Sequence, residues 1–298
     1  MTNNANGKYP ERYLEPVQNG GEIVKLQYTA KRYLTDETPY EKTAYVYLPA
    51  GYDANDKQKK YNVLYLMHGG GASAELFFVW GTQNGGSTPT KNLLDNLIAN
   101  GDLEPCIVCT PTYNMDGSKD QTACCLNYYK ELINDLIPAV EGTYNTYAEA
   151  LDLAGIEATR SHRAFGGFSM GACATWGVFE HALKYVRYFL PLCGDCWTLG
   201  MGGGAKASDE TVAILKKSVL DAGYTADDFR IFWGTGTKDM AYPNVMPMLE
   251  AMKKLGDPFL YCDNYQDGNL YCCVLDEGGH DFPTVHTAIY NGLNKFFQ

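Results

Sequence analysis

The chain has 298 residues, enough for one large domain with a substantial buried core. Its net charge of −11, from 24 basic and 35 acidic residues, repels phosphate backbones and anionic lipid, so neither nucleic acid nor a membrane is an expected partner. No apolar run approaches the roughly 20 residues of a membrane-spanning helix. The first residues, Met1 to Pro10, lack an apolar leader core, which fits a cytoplasmic protein or a secreted one whose leader has been removed.

Residues 1–21 read as an N-terminal extension and 22–298 as one domain, with no internal repeat or linker dividing two cores. Residues 23–29 and 43–48 alternate apolar and polar side chains, as half-exposed antiparallel strands do. Lys57, Lys59 and Lys60 mark a solvated turn before a buried strand over 62–67. A helix over 91–100, stopped by Gly101, leads to a buried strand over 106–110. Leu132, Leu136 and Val140 stand at helical spacing in a helix over 128–144. A strand over 163–168 precedes a helix over 170–185, then come a strand at 186–192, a helix at 209–222 and a strand at 230–233. A helix at 244–255, extended segments at 259–262 and 270–275, and a helix at 283–297 complete the chain. This alternation predicts an α/β fold: a mostly parallel central sheet, antiparallel strands at its N-terminal side, and helices on both faces. The segments 84–90, 114–121 and 200–206 read as surface loops.

Ten cysteines raise the question of disulfides or a metal. Cys106 with Cys109 and Cys193 with Cys196 have C-x-x-C spacing. In a strand, however, residues three apart point to opposite faces, and so do the adjacent pairs Cys124-Cys125 and Cys272-Cys273. The cysteines are expected to be free and buried as small hydrophobes, with no metal site.

The sharpest motif is Gly167-Phe168-Ser169-Met170-Gly171, a G-x-S-x-G pentapeptide placed between a strand and a helix. Such a turn lifts a serine hydroxyl clear of the sheet at a helix N-terminus, where developing negative charge is favoured. A serine nucleophile needs a general base. His280, in the Gly-rich loop before the last helix, is best placed; His68 reads as structural, and His162, His181 and His286 as surface or packing residues. The carboxylate that orients His280 should lie between it and Ser169 in the chain. Asp239, in the loop after the strand at 230–233, leads and Asp195 follows, with Asp257, Asp263 and Asp267 as further competitors. The oxyanion should be held by the N–H of Met170 and by one from the run after His68, with Gly70 first and Gly71 second. Trp197, Trp80, Phe77, Phe78 and Tyr242 could wall a substrate site, whereas Trp176 reads as core.

With these residues placed, the chain resembles the feruloyl and acetylxylan esterases of carbohydrate esterase family 1, an esterase-D-like group with the α/β-hydrolase fold. The carriers are Leu64-Tyr-Leu-Met-His-Gly-Gly70, His162-Arg-Ala-Phe-Gly-Gly-Phe-Ser-Met-Gly171, Leu190-Pro-Leu-Cys-Gly-Asp-Cys-Trp197, Gly234-Thr-Gly-Thr-Lys-Asp239 and Gly278-Gly-His-Asp-Phe282. The resemblance implies a triad of Ser169, Asp239 and His280, no cofactor, and feruloylated or acetylated xylan oligosaccharides as substrates. Relatives often carry Ser where this chain has Cys193, a difference read as one of packing. Acetylxylan deacetylation and acyl transfer to a sugar are the alternative activities, and a catalytically silent carbohydrate-binding relative is a third reading that the complete triad argues against.

Overall fold

Glu22–Lys31 (β1) and Pro39–Leu48 (β2) form an antiparallel pair in register from Glu22↔Leu48 to Lys31↔Pro39. The remaining strands follow in the computed structural model as Asn62–Met67 (β3), Cys106–Thr110 (β4), Arg163–Phe168 (β5), Tyr188–Leu192 (β6), Arg230–Gly236 (β7) and Leu270–Leu275 (β8). They join in one sheet of order β1-β2-β4-β3-β5-β6-β7-β8. From β4 to β8 every pairing is parallel, as the alternation of strands and helices requires. The helices are Pro89–Ala99 (α1), Gln121–Leu126 (α2), Tyr128–Glu131 (α3), Ile137–Thr143 (α4), Leu153–Ala158 (α5), Met170–Ala182 (α6), Gly203–Lys206 (α7), Ser208–Asp221 (α8), Tyr242–Leu255 (α9) and Phe282–Gly292 (α10). The structure describes residues 7–82, 87–264 and 266–297; residues 84–86 of the expected loop at 84–90 and the start of the N-terminal extension lie outside them.

Strand periodicity divides the core into two layers. Phe165, Phe189 and Trp233 point to one face, where Trp176 and Phe179 of α6, Val212 of α8 and Leu249 of α9 pack. Ala164, Leu190 and Phe232 point to the other, against Leu93 and Leu97 of α1 and Val285 and Ile289 of α10. All ten cysteines are buried and none is in a disulfide. From Gly7 onward the N-terminal segment is stitched to α1 and α10: Asn92 donates to Leu14 O at 2.7 Å, Asn96 to Glu15 O at 2.9 Å and Asn291 to Gly7 O at 2.9 Å.

Three local expectations are revised. The helix expected over 128–144 is interrupted by a π-turn over Leu132–Leu136, in which Ile137 N–H reaches Leu132 O. Pro138 follows, with no N–H to give and a ring that crowds the preceding turn, so the extra residue absorbs the mismatch. The segment at 259–262 contributes only a bridge at Tyr261, because the Asn269 side chain occupies Leu260 N–H and Pro258 O. Within the loop at 200–206, the last residues form the single turn α7.

At the N-terminal end of β5, Arg163 is fully buried and forks onto Glu141, Nε to Oε1 at 2.5 Å and Nη2 to Oε2 at 2.8 Å. Thr159 Oγ1 accepts a further bond at 2.6 Å, and the Tyr65 hydroxyl donates to Glu141 at 3.0 Å. Removing one member strands the other charge in a dry interior, which costs about 3–5 kcal/mol. Glu141→Ala should therefore lower the unfolding free energy measured in urea by about that amount. A loss below about 1 kcal/mol would mean that solvent reaches Arg163.

Candidate active site

β5 sits between β3 and β6 and runs straight into α6, and Ser169 is the joint between them. Its backbone, at φ 58° and ψ −117°, is sparsely populated for a side-chain-bearing residue. Ser169 N–H is held by Leu192 O at 2.8 Å. The turn closes so tightly that a Cβ on Gly167 would lie 2.5 Å from Gly171 O, and one on Gly171 would lie 2.5 Å from Met67 O. Both glycines of the pentapeptide are thus required by contact with backbone.

His280 and Asp239 reach Ser169 from the loops after β8 and β7. Those loops are tied to each other by Lys238 N–H to Gly278 O at 2.9 Å and Glu277 N–H to Thr237 Oγ1 at 2.8 Å. The residue after His280, Asp281, caps α10 through Thr284 N–H. His280 Nε2 lies 2.9 Å from Ser169 Oγ, and Nδ1 lies 2.7 Å from Asp239 Oδ1. A carboxylate only accepts, so Nδ1 carries the proton and Nε2 accepts from the serine hydroxyl. The imidazole rests against Phe168, with ring centroids 4.7 Å apart.

Asp239 has a fully buried side chain. Burial pushes its pKa up, yet bonds from His280, the Cys193 thiol and Ala241 N–H outweigh that and hold it below the usual carboxylate range. Ala241 N–H donates to Oδ1 at 2.8 Å and the Thr235 hydroxyl to Oδ2 at 3.2 Å. Cys193 sits at φ 57° in the turn after β6, its own N–H bonded to Gly234 O at 2.7 Å. Its sulfur and the nearest ligand atoms of Asp239 and His280 lie within 4.8 Å of one another. Burial and the neighbouring carboxylate raise the thiol pKa well above its ordinary value, so it stays protonated and donates.

The glycine run after His68 borders the turn that carries the serine. Met170 is the first residue of α6, where a helix leaves N–H groups without an internal acceptor. A Cβ on Gly69 would approach Ser169 Cβ to 3.2 Å, and one on Gly70 would approach Met170 Sδ to 2.9 Å. Gly71 N–H is directed to Gln121 Oε1 at 3.4 Å, which favours Gly70 of the two glycines expected. His68 pins this loop: Nδ1–H donates to Gly69 O at 2.7 Å and Nε2 accepts from the Thr112 hydroxyl at 2.7 Å. Burial pushes its pKa down to about 4, so it is a neutral structural residue, as expected.

The aromatic residues separate. Trp197, half-buried, donates to Asp195 Oδ1 at 2.9 Å, and Asp195 Oδ2 accepts from Gly204 N–H at 3.0 Å. Asp195, the second choice for the triad, thus supports Trp197 and α7, while Asp239 bonds His280. Trp80 is 44% exposed and, with Phe77 and Phe282, lines an apolar pocket of about 150 Å³. Phe78 turns inward onto Tyr47, and Tyr242 opens α9 with its N–H on Asp239 O at 3.0 Å. Trp176 packs in the core on Trp233, at 4.8 Å between ring centroids. His162 stacks on Tyr147, His286 bonds Thr90, and His181 lies beside Glu180. Sequence reasoning did not identify the contacts of Cys193 and Thr235 with Asp239. The replacement of Ser by Cys at position 193 was the available signal.

Among known proteins, the chain is 40% identical over 289 residues to endo-1,4-beta-xylanase Y of Acetivibrio thermocellus, covering 97% of this chain but 24% of that protein. The chain thus spans about a quarter of that relative's length. A solved structure of the feruloyl esterase module from Clostridium thermocellum, a point mutant complexed with sinapinate, is similar with a TM-score of 0.84 and 38% identity, over 98% of this chain and 93% of that one. The ferulic acid esterase of the anaerobic fungus Anaeromyces mucronatus shares the fold, with a TM-score of 0.66 at 19% identity over 97% and 96% of the two chains. Residues 35–268 match the family described as "Putative esterase", and the chain, an α/β-hydrolase by architecture, belongs to that esterase family.

Proposed function

We propose that the protein is a serine carboxylic-ester hydrolase that releases ferulate or a related hydroxycinnamate from xylan through an acyl-enzyme. The observation that carries the chemistry is the unbroken hydrogen-bond chain from Ser169 Oγ through His280 to Asp239. The substrate rests on the likeness to the feruloyl esterase module and on an aromatic-lined pocket whose Phe282 lies 6.4 Å, between ring centroids, from Phe168, the residue before the serine.

His280 Nε2 takes the hydroxyl proton as Ser169 Oγ bonds to the ester carbonyl carbon, whose oxygen becomes an anion. Met170 N–H and Gly70 N–H stabilise that charge, in a role where one donor is worth about 3–4 kcal/mol. The intermediate collapses, the bond to the sugar oxygen breaks, and His280 returns the proton to the leaving alcohol. Water then gives a proton to His280 and attacks the acyl carbon, releasing the acid and restoring Ser169. Throughout, ionised Asp239 fixes the imidazole tautomer and stabilises the imidazolium.

Ser169→Ala should lower kcat on methyl ferulate by about 10⁴-fold or more. Activity within tenfold of the parent enzyme would overturn the scheme. Across methyl ferulate, p-coumarate, sinapate and an acetyl ester, kcat/KM should favour the phenolic esters, and a preference for acetyl would assign the protein to deacetylation.

The thiol of Cys193 acts here as a positioning group for Asp239. Cys193→Ala should reduce kcat by about five- to tenfold with KM within about twofold, because the reacting geometry loosens while ground-state binding is untouched. Cys193→Ser, which restores a donor, should recover most of the loss. If the serine variant is as impaired as the alanine variant, the sulfur serves packing alone.

A further inference from the structure

A second cavity, of about 520 Å³, is lined in part by Ser73, Ala74 and Glu75, just after the glycine run, and differs chemically from the apolar pocket. Lys25 of β1, Tyr40, Thr43 and Tyr45 of β2, Glu75, and Asn114 beyond β4 line it. Tyr45 pairs with Thr110, the last residue of β4, so the part of β2 before Tyr45 runs past the same sheet edge from which Ser169 is presented. Asn114 and Thr112 flank Tyr113, whose hydroxyl donates to Gly69 O at 3.0 Å and lies 3.8 Å from Met170 Sδ. Tyr113 thus ties the segment that lines the cavity to the turn that carries Ser169.

Glu75 stands at the divide between the two pockets. It accepts from the Tyr45 hydroxyl at 3.2 Å on the polar side and from Trp80 Nε1 at 3.0 Å on the apolar side. The small pocket, walled by Leu76, Phe77, Trp80 and Phe282, offers few partners for hydroxyl groups. The larger one combines tyrosine rings with amide, hydroxyl and charged groups of both signs: Lys25 and Lys42 stand against Glu41, Glu75 and Asp116, with Lys42 paired to Glu131 at 2.8 Å and Asp116 to Arg32 at 2.9 Å. Such a lining suits a neutral, hydroxyl-rich ligand: aromatic faces take C–H surfaces of sugar rings while polar groups exchange hydrogen bonds with hydroxyls.

We propose that this cavity is a glycan subsite that holds neighbouring pentose units of the polysaccharide bearing the ester. The inference rests on the esterase reading above, and it adds the place where the chain is gripped. Two variants probe it: Tyr45→Ala removes the ring, and Thr43→Trp fills the cavity from a half-buried strand position in its wall. KM would be measured for a feruloylated xylo-oligosaccharide and for methyl ferulate, and binding of unesterified xylohexaose by calorimetry. In both variants, KM for the oligosaccharide ester should rise about five- to tenfold more than KM for methyl ferulate, and xylohexaose binding should weaken in parallel. Equal increases on both esters would mean that the cavity holds the acyl part, and no change on either would mean that it holds nothing; both outcomes overturn the proposal. If the parent enzyme cleaved neither ester, the esterase reading would fall, while calorimetry would still decide the subsite: xylohexaose binding weakened by both variants supports it, and absent or unaltered binding overturns it.

Discussion

The backbone of Ser169 is the constraint on which the site depends. A non-glycine residue at φ 58° and ψ −117° costs on the order of 1–3 kcal/mol, so the surrounding structure must over-determine it. It does so from three sides. β5 is paired on both edges, Leu192 O holds the serine N–H, and α6 is buried along most of its length behind the turn. Because β3, β5, β6, β7 and β8 are parallel, their following loops leave at one edge of the sheet. Gly69 and Gly70, the serine, Cys193, Asp239 and His280 are therefore neighbours through topology, although more than 200 residues separate the first from the last.

Electrostatics near that edge differs from the rest of the molecule. Elsewhere, buried acids are matched by cations: Glu141 by Arg163 and Glu131 by Lys42. Asp239 is matched by a thiol, a hydroxyl, a backbone amide and the imidazole N–H. These neutral donors favour the ionised carboxylate without cancelling its charge. A guanidinium at the same distance would compete with the imidazolium of the proposed acyl transfer. The donor set keeps Asp239 anionic at neutral pH and leaves its field directed at His280.

Much of the architecture was legible because buried parallel strands are short, unbroken apolar runs. β3, β4 and β5 carry that pattern and begin and end where it does. The meeting of Ser169, His280 and Asp239 was legible for a different reason: each of the three follows a strand, so chain order and sheet order together limit the choices. The π-turn at Leu132–Leu136 was not legible, since one inserted residue leaves Leu132, Leu136 and Val140 apolar and buried on either register. Cys193 was read as packing because a thiol in an apolar stretch looks the same whether or not it donates. Its contact with Asp239 depends on a positive φ that the residue type does not suggest. The role of Asp195 was equally hidden, because a buried acid near a tryptophan is consistent with either orienting histidine or holding the ring.

The stretch from His68 to Gly81 joins catalysis to recognition. Its first residues carry the glycine proposed for the oxyanion, Glu75 separates a polar cavity from an apolar one, and Trp80 covers the latter. Such a loop serves catalysis only if its glycines keep their place while ligands press on its flanks. His68 meets that need by bonding Gly69 O and Thr112 Oγ1 at once, with Asn114 fastening Ala72 O at 2.9 Å. Burial pushes the His68 pKa down to about 4, so this anchor stays neutral near neutral pH and its hydrogen bonds do not change there. One histidine is thus kept out of proton chemistry, while the other is the one to which the proposed mechanism assigns it.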